Sequence, residues 1–437
     1  VGYGFTRDDV AYLGSAAGSA ALTDVDTRPL TSASLLRDLE RIRRDHGDRS
    51  AALVETVRLR RRASAKLADA SGWLFTDDAL QQATPTLVAR HRAGRLAGRT
   101  VHDVTCSIGA ELIELARVCP AVMGSDLDLV RLDLAAHNLR VALGGSPDAG
   151  VPDLPVGRSG PVDTRAAEHD SAARTIASDA PETSTGAALA VVRNVVLAKA
   201  DALVPCSDAE VVIADPARRA DGRRTHDPAK LQPPLPDLLE AYAGRDLAVK
   251  CAPGLDFDTL AWDGEIEVTS LAGGVREACL WSPGLTSPGV TRRATVLSTS
   301  GAAWTLTDAD PDDIPEHEPG EWIIDPDGAV VRAGLVRHYA AKHALWQLDP
   351  RIAYLTGDKP PEGVRGFRIL DRMDLREKPL RAELHRRDCG PLEILTRGVD
   401  LDPDALRARI KPKGSVPHTL VITRIGRTAT VFLCATP

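Results

Sequence analysis

The sequence predicts an α/β protein, with a doubly wound parallel sheet set between a helical N-terminal lobe and a small α+β tail. Three observations carry that reading. From Thr100 onward, short β-like runs alternate with segments of helical periodicity, as parallel strands and their crossover helices do. Two of these runs, Val195–Lys199 and Val211–Ala214, are dominated by Val, Ile, Leu and Ala, as strands covered on both faces require. The first hundred residues instead carry apolar positions at helical spacing, interleaved with charge.

In chain order, helices are expected over residues 34–45 and 51–67, with Leu53, Val57 and Leu67 on the apolar side. Between Arg37 and Lys66 there are ten Lys/Arg against five Asp/Glu, densest at Arg58, Arg60, Arg61 and Arg62. That run reads either as a solvated helix face or as a phosphate-contacting one. A strand at 101–104, a helix at 110–118, a strand at 121–124 and a helix at 129–140 follow. From Gly144 to about residue 185 the chain is rich in Gly, Pro, Ser, Asp and Ala, with almost no large apolar groups. Such a segment buries too little area to offset its ordering entropy, so a disordered insertion is expected there. The sheet resumes at 195–199, 211–214, 247–251, 266–270 and 277–281. The acidic, Pro-rich stretch 308–319 reads as a boundary. The expected domains are therefore 1–95, 96–310 (with the insertion at about 144–188) and 320–437. In the tail, Trp322–Ile324 and Gly328–Arg332 flank an Asp-Pro-Asp-Gly turn and read as a hairpin. Strands are expected at 392–396, 420–424 and 428–433, and a helix at Pro403–Ile410.

Composition narrows the function classes. The 437 residues are 43% hydrophobic and 26% charged, enough to bury a core. No run approaches the roughly 18 apolar residues that a membrane helix needs. The first 22 residues have no basic stretch leading into an apolar one, so no export signal is expected. Seven cysteines are widely spread with no C-x-x-C pair. That argues against a disulfide framework and a zinc site, and for a reducing cytoplasm. The balance of 54 basic and 61 acidic residues gives −7 and excludes a generally basic binder. Nucleic-acid contact must come from a local patch, and residues 381–437 hold ten basic against six acidic residues.

Four acids stand at expected strand ends: Asp103, Asp126, Asp201 and Asp215. In open α/β sheets, ligands bind beyond these ends. Asp103 opens a strand–turn–helix passage through Thr105, Cys106, Ser107 and Gly109. Its small residues let a ligand approach the backbone, and the helix start offers free N–H donors. Asp126 ends the next strand, where a carboxylate can accept both hydroxyls of a ribose. The glycine fingerprints for a pyrophosphate or a triphosphate are absent. The ligand indicated is a nucleoside with no phosphate chain, S-adenosylmethionine over NAD or ATP.

These residues resemble a known family. Trp73-Leu-Phe75-Thr76, Ala83-Thr84-Pro85, the Asp103-to-Gly109 turn, Gly124-Ser-Asp126-Leu127-Asp128 and Asn138-Leu139 are similar to the motifs of class I S-adenosylmethionine-dependent methyltransferases. The likeness is to the branch containing trimethylguanosine synthase, and it covers roughly residues 73–283. It implies a Rossmann-like seven-stranded core. By the same resemblance Asp103 and the 106–109 turn hold the methionine half, Asp126 holds the ribose and Asp201 sits by the adenine amino group, with Thr105, Leu127 and Ala202 also among the cofactor-binding residues. The family's catalytic Asp/Asn-Pro-Pro-aromatic motif falls on Asp215-Pro216-Ala217-Arg218, so Asp215, Pro216 and Arg218 are the expected catalytic residues. The aromatic ring is replaced by Arg218-Arg219, whose guanidinium planes can stack on a base or grip a phosphate. The passages Leu392–Gly398 and Arg407–Gly414 resemble a THUMP-like domain. Together these imply N-methylation of RNA, ribosomal or transfer, with no metal and no membrane. A methyltransferase for a small molecule or protein, and a non-catalytic RNA-binding module, stay open. An NAD-dependent oxidoreductase is disfavoured by the missing glycines. Cys106 as a nucleophile is also disfavoured, since no His stands beside it. Trp73 and Phe75 either wall the pocket or pack the lobe, Lys250 ends a strand on the same rim, and His338 and His343 read as structural.

Overall fold

The computed structural model describes residues 2–144, 188–217, 219–220, 223–224, 227–260 and 262–436. The insertion expected at about 144–188 falls on 145–187, outside the described residues. The chain forms two compact units, 1–264 with 277–285, and 265–276 with 286–437.

The first unit opens with helices α1 (Arg7–Leu13), α2 (Ala16–Asp26), α3 (Leu35–His46), α4 (Ser50–Ala63), α5 (Asp77–Gln82) and α6 (Thr86–Arg95). Then come β1 (Val101–Asp103), α7 (Ala110–Ala116), β2 (Val122–Asp126), α8 (Leu129–Leu143), β3 (Ala188–Val192), β4 (Val195–Lys199) and β5 (Val211–Ala214). Two short strands, β6 (Arg219–Ala220) and β7 (Arg223–Arg224), precede α9 (Leu235–Ala241) and β8 (Asp246–Cys251). The chain continues through β9 (Glu265–Leu271) and β10 (Gly274–Trp281). Residues of β10 from Glu277 on belong to this first unit.

Its sheet runs β10-β8-β5-β1-β2-β4-β3. The five inner strands are parallel, and both edges, β3 on β4 and β10 on β8, are antiparallel. Strand order leaves β1 towards β2 and β4 on one side and towards β5 and β8 on the other. The reversal point is therefore the gap between β1 and β5, where this architecture opens a crevice beyond the strand ends. Register aligns those ends: Asp103 pairs with Gly124 of β2 and with Ile213 of β5.

Local chemistry makes the turns at that edge. Gly109 caps α7 at φ +79, a left-handed backbone, and a Cβ there would lie 3.2 Å from the Ala135 Cβ. Only glycine combines that torsion with that approach of α7 to α8. Asp128 caps α8 by accepting from the N–H groups of Val130 and Arg131. One apolar core joins the helical lobe to the sheet, with Leu53, Trp73, Phe75, Leu112, Leu139, Val195 and Ile213 all buried in it.

Three arginines of the α4 run hold neighbouring segments. Arg60 donates to the carbonyls of Gly72 and Trp73, both at 2.8 Å. Arg61 reaches Asp26 and the carbonyls of Arg28 and Pro29, and Arg62 pairs with Asp77. These three side chains clamp neighbouring loops, while Arg58, Arg61 and Arg62 stay exposed, as on a solvated helix face.

The second unit contains β9, β11 (Arg292–Leu297) and β12 (Ala303–Thr307), with β9 parallel and β12 antiparallel to β11. Further along are β13 (Trp322–Ile324), α10 (Gly328–Arg332), α11 (Val336–Lys342), β14 (Trp346–Gln347), β15 (Leu355–Gly357), β16 (Gly366–Asp374), α12 (Glu377–Arg386), β17 (Cys389–Arg397), α13 (Pro403–Ile410), β18 (Val416–Ile425) and β19 (Thr428–Ala435). A second sheet has the order β14-β15-β13-β16-β19-β18-β17. The hairpin expected across Asp325–Gly328 is not formed. Gly328–Arg332 is a helix, because the Asp327 side chain accepts from the Ala329 N–H and caps it. β13 pairs with β15 and β16 instead. Among the described residues, no helix is long and apolar enough to cross a membrane.

Candidate active site

The crevice beyond β1, β2 and β5 is a cavity of about 550 Å³. Asp103, Thr105, Cys106, Ser107, Asp126, Leu127, Asp201, Ala202 and Asp215 all line it. Gly109 and Pro216 are not on its wall; Gly109 shapes the turn that is. Arg218 lies outside the described residues.

Each acid is held in its own way. Asp126 takes the Ser107 N–H on Oδ2 at 3.1 Å and the Asp128 N–H on Oδ1 at 2.9 Å. Ser107 presents that N–H from a left-handed backbone, φ +49, where a glycine would sit without strain. Burial raises the Asp126 carboxyl above its usual range, while these N–H groups and Arg131, 3.9 Å away, pull it back. Asp103 is buried and accepts from the Thr105 N–H at 3.0 Å. Burial pushes it up to about 7. Asp201 accepts from the Leu203 N–H and so shapes its own turn, while still facing the cavity.

Asp215 follows the last residue of β5. Its backbone N–H donates to the Thr105 hydroxyl at 2.7 Å, which ties the β5 end to the β1 turn. Its carboxylate accepts from the Lys250 ammonium at 2.6 Å. Behind this pair lies a chain of alternating charge. Lys250 is 3.8 Å from Glu111, Glu111 takes Arg92 on both oxygens, and Arg92 also pairs with Glu277. Arg92, Glu111, Lys250 and Glu277 are all buried. Burial pulls the Lys250 ammonium down, but the Asp215 and Glu111 carboxylates outweigh it and hold it above the usual lysine range. Ala217 exchanges backbone hydrogen bonds with Gln232, which fixes the rim beside Asp215.

Other expectations are decided by burial. Cys106 is buried, and burial raises its thiol far above the ordinary value, so it is not a thiolate. Trp73 and Phe75 sit in the core and not on the cavity wall. His343 stacks on Tyr339, with centroids 4.5 Å apart. Sequence reasoning missed Glu111, Arg92 and Glu277. They are scattered over 185 residues, and only the fold joins them.

Two curated proteins from strains of Mycobacterium tuberculosis, each named an S-adenosylmethionine-dependent methyltransferase, are 49% identical to the chain over 389 residues, covering 87% of it and 94% of theirs. The chain belongs to the S-adenosylmethionine-dependent methyltransferases. A THUMP domain-like family model matches residues 364–436 of this methyltransferase, which span β16 to β19, and a model for a domain of unknown function matches residues 6–63. A crystal structure of a methyltransferase from Porphyromonas gingivalis shares the fold, with a TM-score of 0.68 at 16% identity over 99% of both chains.

The residues of the methyltransferase fit its cofactor. Asp126 has both oxygens oriented by backbone N–H groups, Thr105, Cys106, Ser107 and Ile108 line the cavity, and the exposed apolar side chain of Leu127 lies on the wall.

Proposed function

We propose that the enzyme methylates nitrogen in RNA, ribosomal or transfer. The observation that carries this reading is the shared cavity of Asp126 and Asp215, one carboxylate suited to a ribose and the other to an acceptor N–H. The cofactor, when bound, supplies a methyl group on a sulfonium. In this reading Asp126 and Leu127 hold the nucleoside, with Asp201 and Ala202 by the adenine. Asp103 and the Thr105, Cys106, Ser107 and Gly109 turn hold the methionine half. Asp215 accepts from the acceptor N–H and orients its nitrogen for in-line attack, so that catalysis is mainly positioning in a site screened from water. Pro216 stiffens the chain after Asp215, and Arg218 is assigned to stacking on the base or pairing with phosphate.

Support for RNA comes from the THUMP-like match and from charge in the tail. Much of the basic surplus there is spent locally: Arg386 and Arg387 pair with Glu383, Arg407 with Asp404 and Arg397 with Asp325. What remains divides between the junction of α12 with the end of α13 and the β18–β19 turn, where Arg424 and Arg427 are exposed. Arg381 donates to the Arg409 carbonyl, and the exposed Lys411 and Lys413 follow. The seven buried cysteines form no disulfide, which favours a reducing cytoplasm. The test is tritium transfer from S-adenosylmethionine to fractionated bacterial RNA, followed by nucleoside analysis. Labelled N-methyl nucleosides are expected. Label only on protein or small molecules would overturn the RNA reading, and so would binding without salt dependence.

A further inference from the structure

Lys250 is the penultimate residue of β8, its side chain only 8% exposed, yet it lines the same cavity as Asp215. Its ammonium has three N–H donors. Asp215 Oδ2 takes one at 2.6 Å. Glu111 Oε2, at 3.8 Å, is within reach of charge attraction and beyond hydrogen-bond length. The Glu111 oxygens are turned to Arg92 instead, at 2.9 and 3.3 Å. A buried cation beside a cavity therefore keeps donor capacity, which is costly to leave unmet. Among the described residues, Asp215 Oδ1 takes no hydrogen bond either. The two side chains form one edge, a carboxylate acceptor beside an ammonium donor. The complement of such an edge is an N–H next to a lone pair. Planar amides and amidines have this arrangement, with the N–H on one atom and C=O or C=N on its neighbour.

We propose that Lys250 is a second acceptor-binding residue, donating to the C=O or C=N lone pair adjacent to the N–H that Asp215 accepts from. The site then takes planar amide and amidine edges, as nucleobases offer, in preference to isolated amines or hydroxyls. The inference rests on the N-methylation reading and deepens it. In the transfer a C–N bond forms as the C–S bond breaks, the displaced N–H proton leaves to solvent, and Lys250 stays an ammonium throughout.

The test uses the full chain, wild type and the variants Lys250→Met and Lys250→Arg. Cytidine and adenosine carry the proposed edge, and aniline carries an N–H₂ without a neighbouring lone pair. Affinity for each is measured by saturation-transfer NMR with S-adenosylhomocysteine present, and calorimetry measures S-adenosylhomocysteine itself. Wild type is expected to favour at least one of the nucleosides over aniline, and both variants to lose that preference by about 10- to 100-fold, the range for a hydrogen bond from a charged donor. S-adenosylhomocysteine affinity should stay within about twofold. Equal binding of aniline by wild type, or an unchanged preference in both variants, overturns the proposal. So does loss of S-adenosylhomocysteine affinity in both variants, which would make Lys250 structural. Failure of wild type to bind either nucleoside also overturns it, while leaving N-methylation to stand on the RNA labelling. Label found on oxygen or carbon would instead defeat the N-methylation reading itself.

Discussion

Lys250 Nζ stands 2.6 Å from Asp215 Oδ2, joining the C-terminal ends of β8 and β5 inside the cavity. The contact fixes the direction of the carboxylate, and the Thr105 hydroxyl fixes the backbone beneath it at 2.7 Å. Asp215→Asn keeps the shape but removes the charge and one acceptor oxygen. Transfer is expected to fall by about 10²-fold or more, with S-adenosylhomocysteine affinity within about twofold. Single-turnover tritium transfer and calorimetry measure the two. A wild-type rate in this variant contradicts the assigned role.

Asp126 carries the opposite expectation. Asp126→Ala removes a carboxylate already oriented by the Ser107 and Asp128 N–H groups. S-adenosylhomocysteine should bind about 10- to 100-fold more weakly, as for lost hydrogen bonds to a charged acceptor. Calorimetry at fixed salt reads this directly.

Asp103 gives a pH dependence. Burial pushes its carboxyl from 3.8 up to about 7, so below pH 7 the folded protein holds it mostly neutral. The ammonium of the cofactor favours the ionised form. Affinity should therefore rise with pH and level off above about 7, and binding at pH 6 should release a proton, read as a buffer-dependent enthalpy. The stability sign is the reverse. Because the folded value is raised, the Asp103 contribution is fully present below pH 3.8 and is lost as pH rises through 7. Asp103→Asn should flatten both profiles.

Arg92 is buried between Glu111 and Glu277. Replacing it by Met strands two carboxylates in the interior, and burial already raises Glu277 above its usual range. Unfolding free energy should drop by about 3–5 kcal/mol, the cost of breaking a buried pair from one side. Urea denaturation measures it, and a loss within 1 kcal/mol of zero would contradict the network.

The sheet and the four acids at its edge were legible because their signals are local. Val211-Val-Ile-Ala before Asp215 marks a buried strand end, and Asp103 runs straight into a turn of small residues. The network behind Asp215 was not, since Arg92, Glu111, Lys250 and Glu277 come from four elements far apart in sequence. Two further features were only partly legible. The arginines of α4 read as a surface, and Arg58, Arg61 and Arg62 are exposed, but the carbonyls and carboxylates they hold, up to 35 residues away, cannot be seen in the run itself. Gly328–Arg332 followed a turn sequence that serves equally to start a helix, and the Asp327 cap decided between them.

The most direct measurement is a crystal structure of the protein with S-adenosylhomocysteine. The account predicts the nucleoside beyond the ends of β1 and β2, both ribose hydroxyls within hydrogen-bond distance of Asp126, and the sulfur turned towards Asp215. Ligand density elsewhere on the protein, or a ribose without contact to Asp126, would contradict it.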